Sequence, residues 1–153
     1  MPLDVGAPAP EFTLPDQYGQ PISLSETLAD KSVLLVFYPF AFSGVCTGEL
    51  NGFRDRLGDF ETDTTTLLTI SCDPMYSLRA FADRDGLFFP LLSDHWPHGE
   101  VTSAYGVFDE THGHPKRSSY VIGRDGNVAW AVHNAPGDAR DLDEQADRLA
   151  ALV

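Results

Sequence analysis

The chain reads as an α/β domain with a central mixed β-sheet flanked by helices and a strand pair at its N-terminus. Three features predict this. Ser32 to Tyr38 is a continuous apolar run without alternation, as in a central strand buried on both faces. Short apolar runs then alternate with helical patterns. Near the end, Ser118–Ile122 and Val128–Val132 flank Gly123-Arg124-Asp125-Gly126-Asn127, whose Asp-Gly pair is a hairpin signal. Together they predict parallel strands closed by an antiparallel pair.

The elements follow in order. Phe12 to Leu14 and Gln20 to Leu24 read as short strands around the turn Asp16–Gly19, and Ser25 as the cap of a short helix ending before Lys31. After the apolar strand and the loop Pro39–Gly44, Leu50, Phe53, Leu57 and Phe60 recur at spacings of three, four and three, one helical face. Thr66 to Ser71 is a second apolar strand. Asp73-Pro74 opens another helix, Asp as N-cap and Pro at the first helical position, with Leu78, Phe81 and Ala82 inward. Phe89–Leu92 reads as a strand and Gly99–Ala104 as a short helix. The last helix turns Leu142, Ala146, Leu149 and Val153 inward, with Asp141 and Glu144 spaced like a capping box.

Composition narrows the class. The 153 residues fit one domain, 1–153, and 42% hydrophobic residues supply a core despite a net charge of −13. Ten Lys and Arg against 23 Asp and Glu argue against nucleic acid or an anionic membrane as partner. The longest apolar run is far short of the ~20 residues that span a bilayer. Met1 to Pro10 has neither a basic segment nor an apolar signal core, so a cytoplasmic protein is expected. Cys46 and Cys72 are too few for a disulfide framework and are expected to be reduced.

The chemistry points to Pro39-Phe40-Ala41-Phe42-Ser43-Gly44-Val45-Cys46. Active sites of open α/β sheets gather beyond the carboxyl ends of the strands. Cys46 falls there in the first turn of a helix, where unpaired N–H groups and the helix dipole favour a thiolate. A competing reading is a small buried core cysteine. Ser43 brings a hydroxyl, and Glu49 lies on the same side of the helix as Cys46. A carboxylate beside a thiolate hinders ionisation unless a cation mediates. Arg54, Arg56, Arg79, Arg84, Arg140 and Arg148 read as solvated helix residues. Arg117 begins a strand that, running antiparallel beside Ser32–Tyr38, starts where that strand ends. Arg124 lies roughly 23 Å further along the strand, and Lys116 points to the opposite face. Arg117 is therefore the expected site cation.

Pro39-x-x-x-Ser43-x-x-Cys46, between a buried strand and a helix, resembles the P-x-x-x-T/S-x-x-C motif of the peroxiredoxins, with Arg117 in that family's arginine position. The likeness runs from Val5–Leu14 to the final helix. It is nearest to the AhpE-type one-Cys group through Phe42–Leu50, Leu91–Gly99 and Tyr105–Phe108. Ser43 replaces the commoner Thr, keeping the hydroxyl and losing a methyl; Gly123 stands where an acidic residue often follows the strand.

The resemblance implies a thioredoxin-like fold and a peroxidase that needs no cofactor. The Cys46 thiolate attacks a hydroperoxide and becomes a sulfenic acid, helped by Arg117, Ser43 and backbone N–H groups, while Pro39 shields it. Phe40 and Phe42 read either as an apolar pocket wall or as ordinary core aromatics. A low-molecular-weight thiol or a small redoxin regenerates the enzyme, and a homodimer is expected, with the segments around Phe40–Phe42 and Trp96 as candidates for its apolar patch. Cys72 is the one possible internal resolving thiol, but it ends an apolar strand, and Asn51 occupies the resolving position used by monomeric relatives; a one-Cys enzyme is expected.

Other readings compete. A redox sensor would use the same Cys46 oxidation. A thiol–disulfide oxidoreductase needs a second Cys where Glu49 stands. A metal-binding module would draw on His95 and His98 with Asp94 and Glu100, or on His112-Gly113-His114; Pro97 breaks the helical spacing of the first group, and surface histidines with no metal are expected.

Overall fold

The computed structural model describes residues 1–152; the inward position expected for Val153 lies outside them. A hairpin of β1 (Thr13–Pro15) and β2 (Pro21–Ser23) leads into α1 (Leu24–Leu28). Then come β3 (Ser32–Phe37), α2 (Gly44–Asp55), a 3₁₀ turn at Leu57–Asp59, β4 (Thr65–Ser71), α3 (Met75–Asp85) and β5 (Leu91–Ser93). The second half holds α4 (Glu100–Ala104), a small ladder of β6 (Phe108–Asp109) and β7 (His114–Pro115), β8 (Ser118–Ile122), β9 (Val128–His133) and α5 (Leu142–Ala150). Among the described residues no helix is long and apolar enough to cross a membrane.

The five-stranded sheet has the order β5-β4-β3-β8-β9, with β3, β4 and β5 parallel and β8 and β9 antiparallel. Every residue of β3 and β4 is buried, which is why β3 reads as an apolar run without alternation and β4 carries Leu67, Leu68 and Ile70 among small hydroxyl residues. One face carries Leu34, Val36 and Leu67 against Leu50 and Phe53 of α2, Leu78 and Phe81 of α3 and Leu149 of α5. The other carries Val33, Leu35, Phe37, Leu68 and Ile70 against the N-terminal hairpin, α1, Tyr105 and Val107. Alternation along each strand deals its side chains to the two cores in turn.

Local expectations fail where a polar side chain has a better partner. Ser23, not Ser25, caps α1: its backbone is extended and its hydroxyl accepts from Glu26 N at 3.3 Å. Asp73 does not cap α3, because its carboxylate accepts from Ala41 N at 2.8 Å, and the helix starts after Pro74. The β6–β7 ladder was not foreseen; two residues per strand leave no periodicity to read. At the C-terminal end, Asp141 does cap α5, accepting from Glu144 N at 3.2 Å.

Candidate active site

The register of the sheet builds the site. Phe37, the last residue of β3, pairs with Ser118, the first of β8, so Arg117 enters beside the loop that leaves β3. That loop carries buried Pro39 and then Phe42, whose φ of 68° is the left-handed value rare outside glycine. The chain thereby swings into α2, and Cys46 becomes its third residue, with its side chain fully buried. Thr47 N is bonded to Ser43 O at 2.8 Å; the N–H groups before it have no acceptor within the helix.

Arg117 Nη2 donates to Cys46 Sγ at 3.3 Å. Its Nη1 donates to Glu49 Oε1, while Pro136 O accepts from Nε at 3.1 Å and from Nη2 at 2.9 Å. The guanidinium is 3% exposed and Glu49 5%, so this is a desolvated ion pair held in one orientation. A planar fork anchored on two acceptors leaves one N–H edge for the sulfur. Glu49 thus reaches Cys46 through a cation, as its place on the helix predicts.

Arg140 corrects the sequence reading. It lies before α5, not in a helix, and is 6% exposed. Glu49 accepts from Arg140 Nη1 at 2.8 Å and from its backbone N at 2.7 Å. Ser119 Oγ at 2.8 Å, Ser118 O at 3.1 Å and Phe37 O take the other donors. Burial pulls the guanidinium down to about 10 against the opposing pull of Glu49, so it stays charged at neutral pH. Two arginines therefore share one carboxylate, leaving a net positive charge beside the sulfur. The signal was available: Asp141 as N-cap places Arg140 outside the helix, where the solvated-face argument does not apply.

Ser43 and the aromatics also differ in detail. The Ser43 hydroxyl donates to Phe40 O at 2.8 Å, so its proton is committed and its lone pairs are free. Phe40, 46% exposed, lies edge-on to His114 with ring centroids 4.9 Å apart. Phe42 packs on Phe81 at 5.0 Å under the Arg84 guanidinium. They do not form one wall. A cavity of about 220 Å³ opens beside the arginine instead, lined by Pro39, Asp109, His114, Lys116, Arg117, Asn134 and Pro136.

Cys72 stands apart. It lies just past the end of β4 and meets Thr102 Oγ1 at 3.9 Å, whereas Cys46 packs in the first core. Burial, with Asp94 adding to it, pushes the Cys72 thiol up to about 12. Of the polar groups near it, His95 is turned to Cys72 O and Asp94 accepts from Val101 N and Thr102 N. His98 bonds to the carbonyls of His95 and Gly113. Asp109, His112 and His114 do come together at the β6–β7 ladder.

A buried thiol at a helix start, facing an arginine that directly precedes an adjacent antiparallel strand, suggests a class, and comparison agrees with it. The model of the AhpC/TSA family matches residues 5–131, and the chain belongs to that family, the peroxiredoxins. It is 47% identical over 151 residues to alkyl hydroperoxide reductase E of Mycobacterium tuberculosis, covering 99% of each chain. It is 32% identical to the chloroplastic 2-Cys peroxiredoxin of Spinacia oleracea, across 99% of this chain and 60% of that one. The crystal structure of the peroxidoxin BcpB from Mycobacterium tuberculosis superposes with a TM-score of 0.86 at 33% identity, covering 99% of both chains. The fold is thioredoxin-like, as predicted.

Proposed function

We propose that the whole chain, 1–153, works as one thiol-dependent peroxidase in which Cys46 is the peroxidatic nucleophile. Family membership makes the protein an oxidoreductase acting on peroxides. The observation that carries the assignment to Cys46 is the Arg117 Nη2 donor 3.3 Å from its sulfur, at the start of a helix. A guanidinium there favours anionic sulfur, the competent nucleophile.

The reaction begins with the Cys46 thiolate attacking the terminal oxygen of ROOH in line with the O–O bond. An S–O bond forms as the O–O bond breaks, and the departing alkoxide takes a proton to leave as ROH. Negative charge moves from sulfur to the leaving oxygen, and fixed donors stabilise it without reorganising. Arg117 and the free N–H groups before Thr47 supply them. Ser43, its own proton given to Phe40 O, accepts the hydrogen bond of the hydroperoxide O–H. Pro39, buried at the mouth, limits further oxidation of the sulfenic acid.

Regeneration belongs to an external thiol. Two equivalents of RSH return Cys46–SOH to Cys46–SH with release of RSSR and water. Cys72 is a poor resolving group, because its thiol is buried and that burial pushes it up to about 12. The reductant is a low-molecular-weight thiol or a small redoxin, in a cytoplasmic setting. A homodimer fits the exposed Phe40, Phe42 and Val45 on the segment that leads to Cys46; light scattering above the 16.8 kDa monomer mass would support it.

Intact-mass analysis after one equivalent of peroxide tests the cycle. The expected product gains one oxygen and is trapped on Cys46 by dimedone. Loss of two hydrogens with a Cys46–Cys72 peptide would make the enzyme a two-Cys one.

A further inference from the structure

We propose that Asp109, His112 and His114 form a binding site for a divalent transition-metal ion of the zinc type, beside the cavity that leads to Arg117. One donor atom from each residue lies within 4.8 Å of the other two. His112 Nδ1 is 3.0 Å and His114 Nε2 4.0 Å from Asp109 Oδ2. Ligands about 2.0–2.1 Å from a tetrahedral zinc lie about 3.3 Å apart, so the set brackets the required spacing and closes with small side-chain movements.

The backbone holds the donors in place. Asp109 and His114 are cross-strand partners in the β6–β7 ladder, and Gly113, at φ 75°, closes the turn between them. Asp109 Oδ1 accepts from Thr111 N at 3.0 Å and His112 N at 3.1 Å, while Oδ2 is turned to the imidazoles and accepts from His112 Nδ1 at 3.0 Å, a proton that a bound ion would replace. His114 Nδ1 donates to Pro115 O at 2.7 Å, since a carbonyl can only accept. Neutral His114 therefore carries its lone pair on Nε2, the atom facing Asp109. A ligating histidine whose second nitrogen is tied to a carbonyl is the usual arrangement in metal sites. His98 Nε2 braces the turn from outside through Gly113 O at 2.8 Å.

Two imidazoles and a carboxylate are the three-ligand set of zinc sites that keep an open position, here filled by water. Such nitrogen and oxygen donors suit zinc and its neighbours in the divalent series rather than calcium or magnesium. The entry path exists, because the His112 side chain is 67% exposed. Asp109 and His114 also line the cavity shared with Pro39 and Arg117, and His114 lies against Phe40. A bound dication would stand in that cavity's wall.

The site does not rest on the peroxidase reading, and its test is binding rather than activity. Zinc is titrated calorimetrically into the full chain carrying Cys46→Ser and Cys72→Ser, which removes competing thiolates. One equivalent should bind with a micromolar dissociation constant. His112→Ala and Asp109→Asn, each in that background, should weaken binding by at least about tenfold. Cobalt in the same protein should give the d–d bands of a nitrogen- and oxygen-ligated ion. No binding, or binding unchanged in both variants, would overturn the proposal. In the wild-type chain, a thiolate-to-cobalt charge-transfer band from the first equivalent would also overturn it, since that places the ion on cysteine.

Discussion

Replacing Arg117 by Met keeps most of the side-chain volume and removes the charge and all five donors. Cys46 Sγ loses its 3.3 Å donor and Pro136 O loses two. Glu49 keeps three donated bonds, two of them from Arg140 at 2.8 and 2.7 Å, only if Arg117 is present; without it the Arg140 pair remains and still neutralises the carboxylate. The variant should therefore fold, with the loss falling on chemistry. Removing one preorganised donor from a developing oxyanion costs ~10²–10³ in rate, about 2.7–4 kcal/mol. The assay is stopped-flow tryptophan fluorescence of the reduced enzyme against peroxide, with Trp96 and Trp130 as reporters. Iodoacetamide alkylation, which needs the thiolate but no peroxide donors, should slow less. Arg117→Lys should fall between, because a point charge cannot serve the sulfur, Glu49 and Pro136 O together. A peroxide rate for Arg117→Met within about threefold of wild type would refute the assignment of this donor to the transition state.

Two further outcomes follow from the buried polar groups. Arg140→Met strands the acceptors at Ser119 Oγ, Ser118 O and Phe37 O and removes half of the charge compensation of Glu49. It should lower stability by about 3–5 kcal/mol in urea unfolding, and a loss below about 1 kcal/mol would show that this network is dispensable. For Cys72, burial raises the thiol from the usual 9.0 to about 12 in the folded chain. The native state holds this proton more tightly, so the associated stability is complete below the unfolded value and is lost as pH rises toward the folded one. In a Cys46→Ser background, Cys72→Ala should flatten the fall of the urea midpoint between about pH 9 and pH 11. An unchanged slope would mean that the thiol titrates alike in both states.

Much of this arrangement is legible in sequence because burial leaves a pattern. The unbroken run of β3 announces a strand covered on both sides, and the Asp125-Gly126 turn sets the antiparallel pair that delivers Arg117 to Phe37's end of the sheet. What escaped was polar and tertiary. Arg140 looks like any surface arginine until the chain before α5 folds back onto Glu49, a contact 91 residues away in sequence. Asp73 and Ser25 have the composition of helix caps, yet Asp73 is taken by Ala41 N and Ser25 lies inside the helix that Ser23 caps. The Ser43 hydroxyl is read from its motif, but its bond to Phe40 O is a local contact that the motif does not announce. The Asp109–His114 pairing depends on a ladder too short to carry periodicity.

The account stands on Cys46 as the nucleophile, and the most direct measurement is thiol-dependent peroxide turnover by wild type, Cys46→Ser and Cys72→Ser side by side. Cys46→Ser should lose turnover while keeping its circular dichroism and urea midpoint, and Cys72→Ser should retain it. Turnover surviving in Cys46→Ser, or lost in Cys72→Ser with the fold intact, would contradict it.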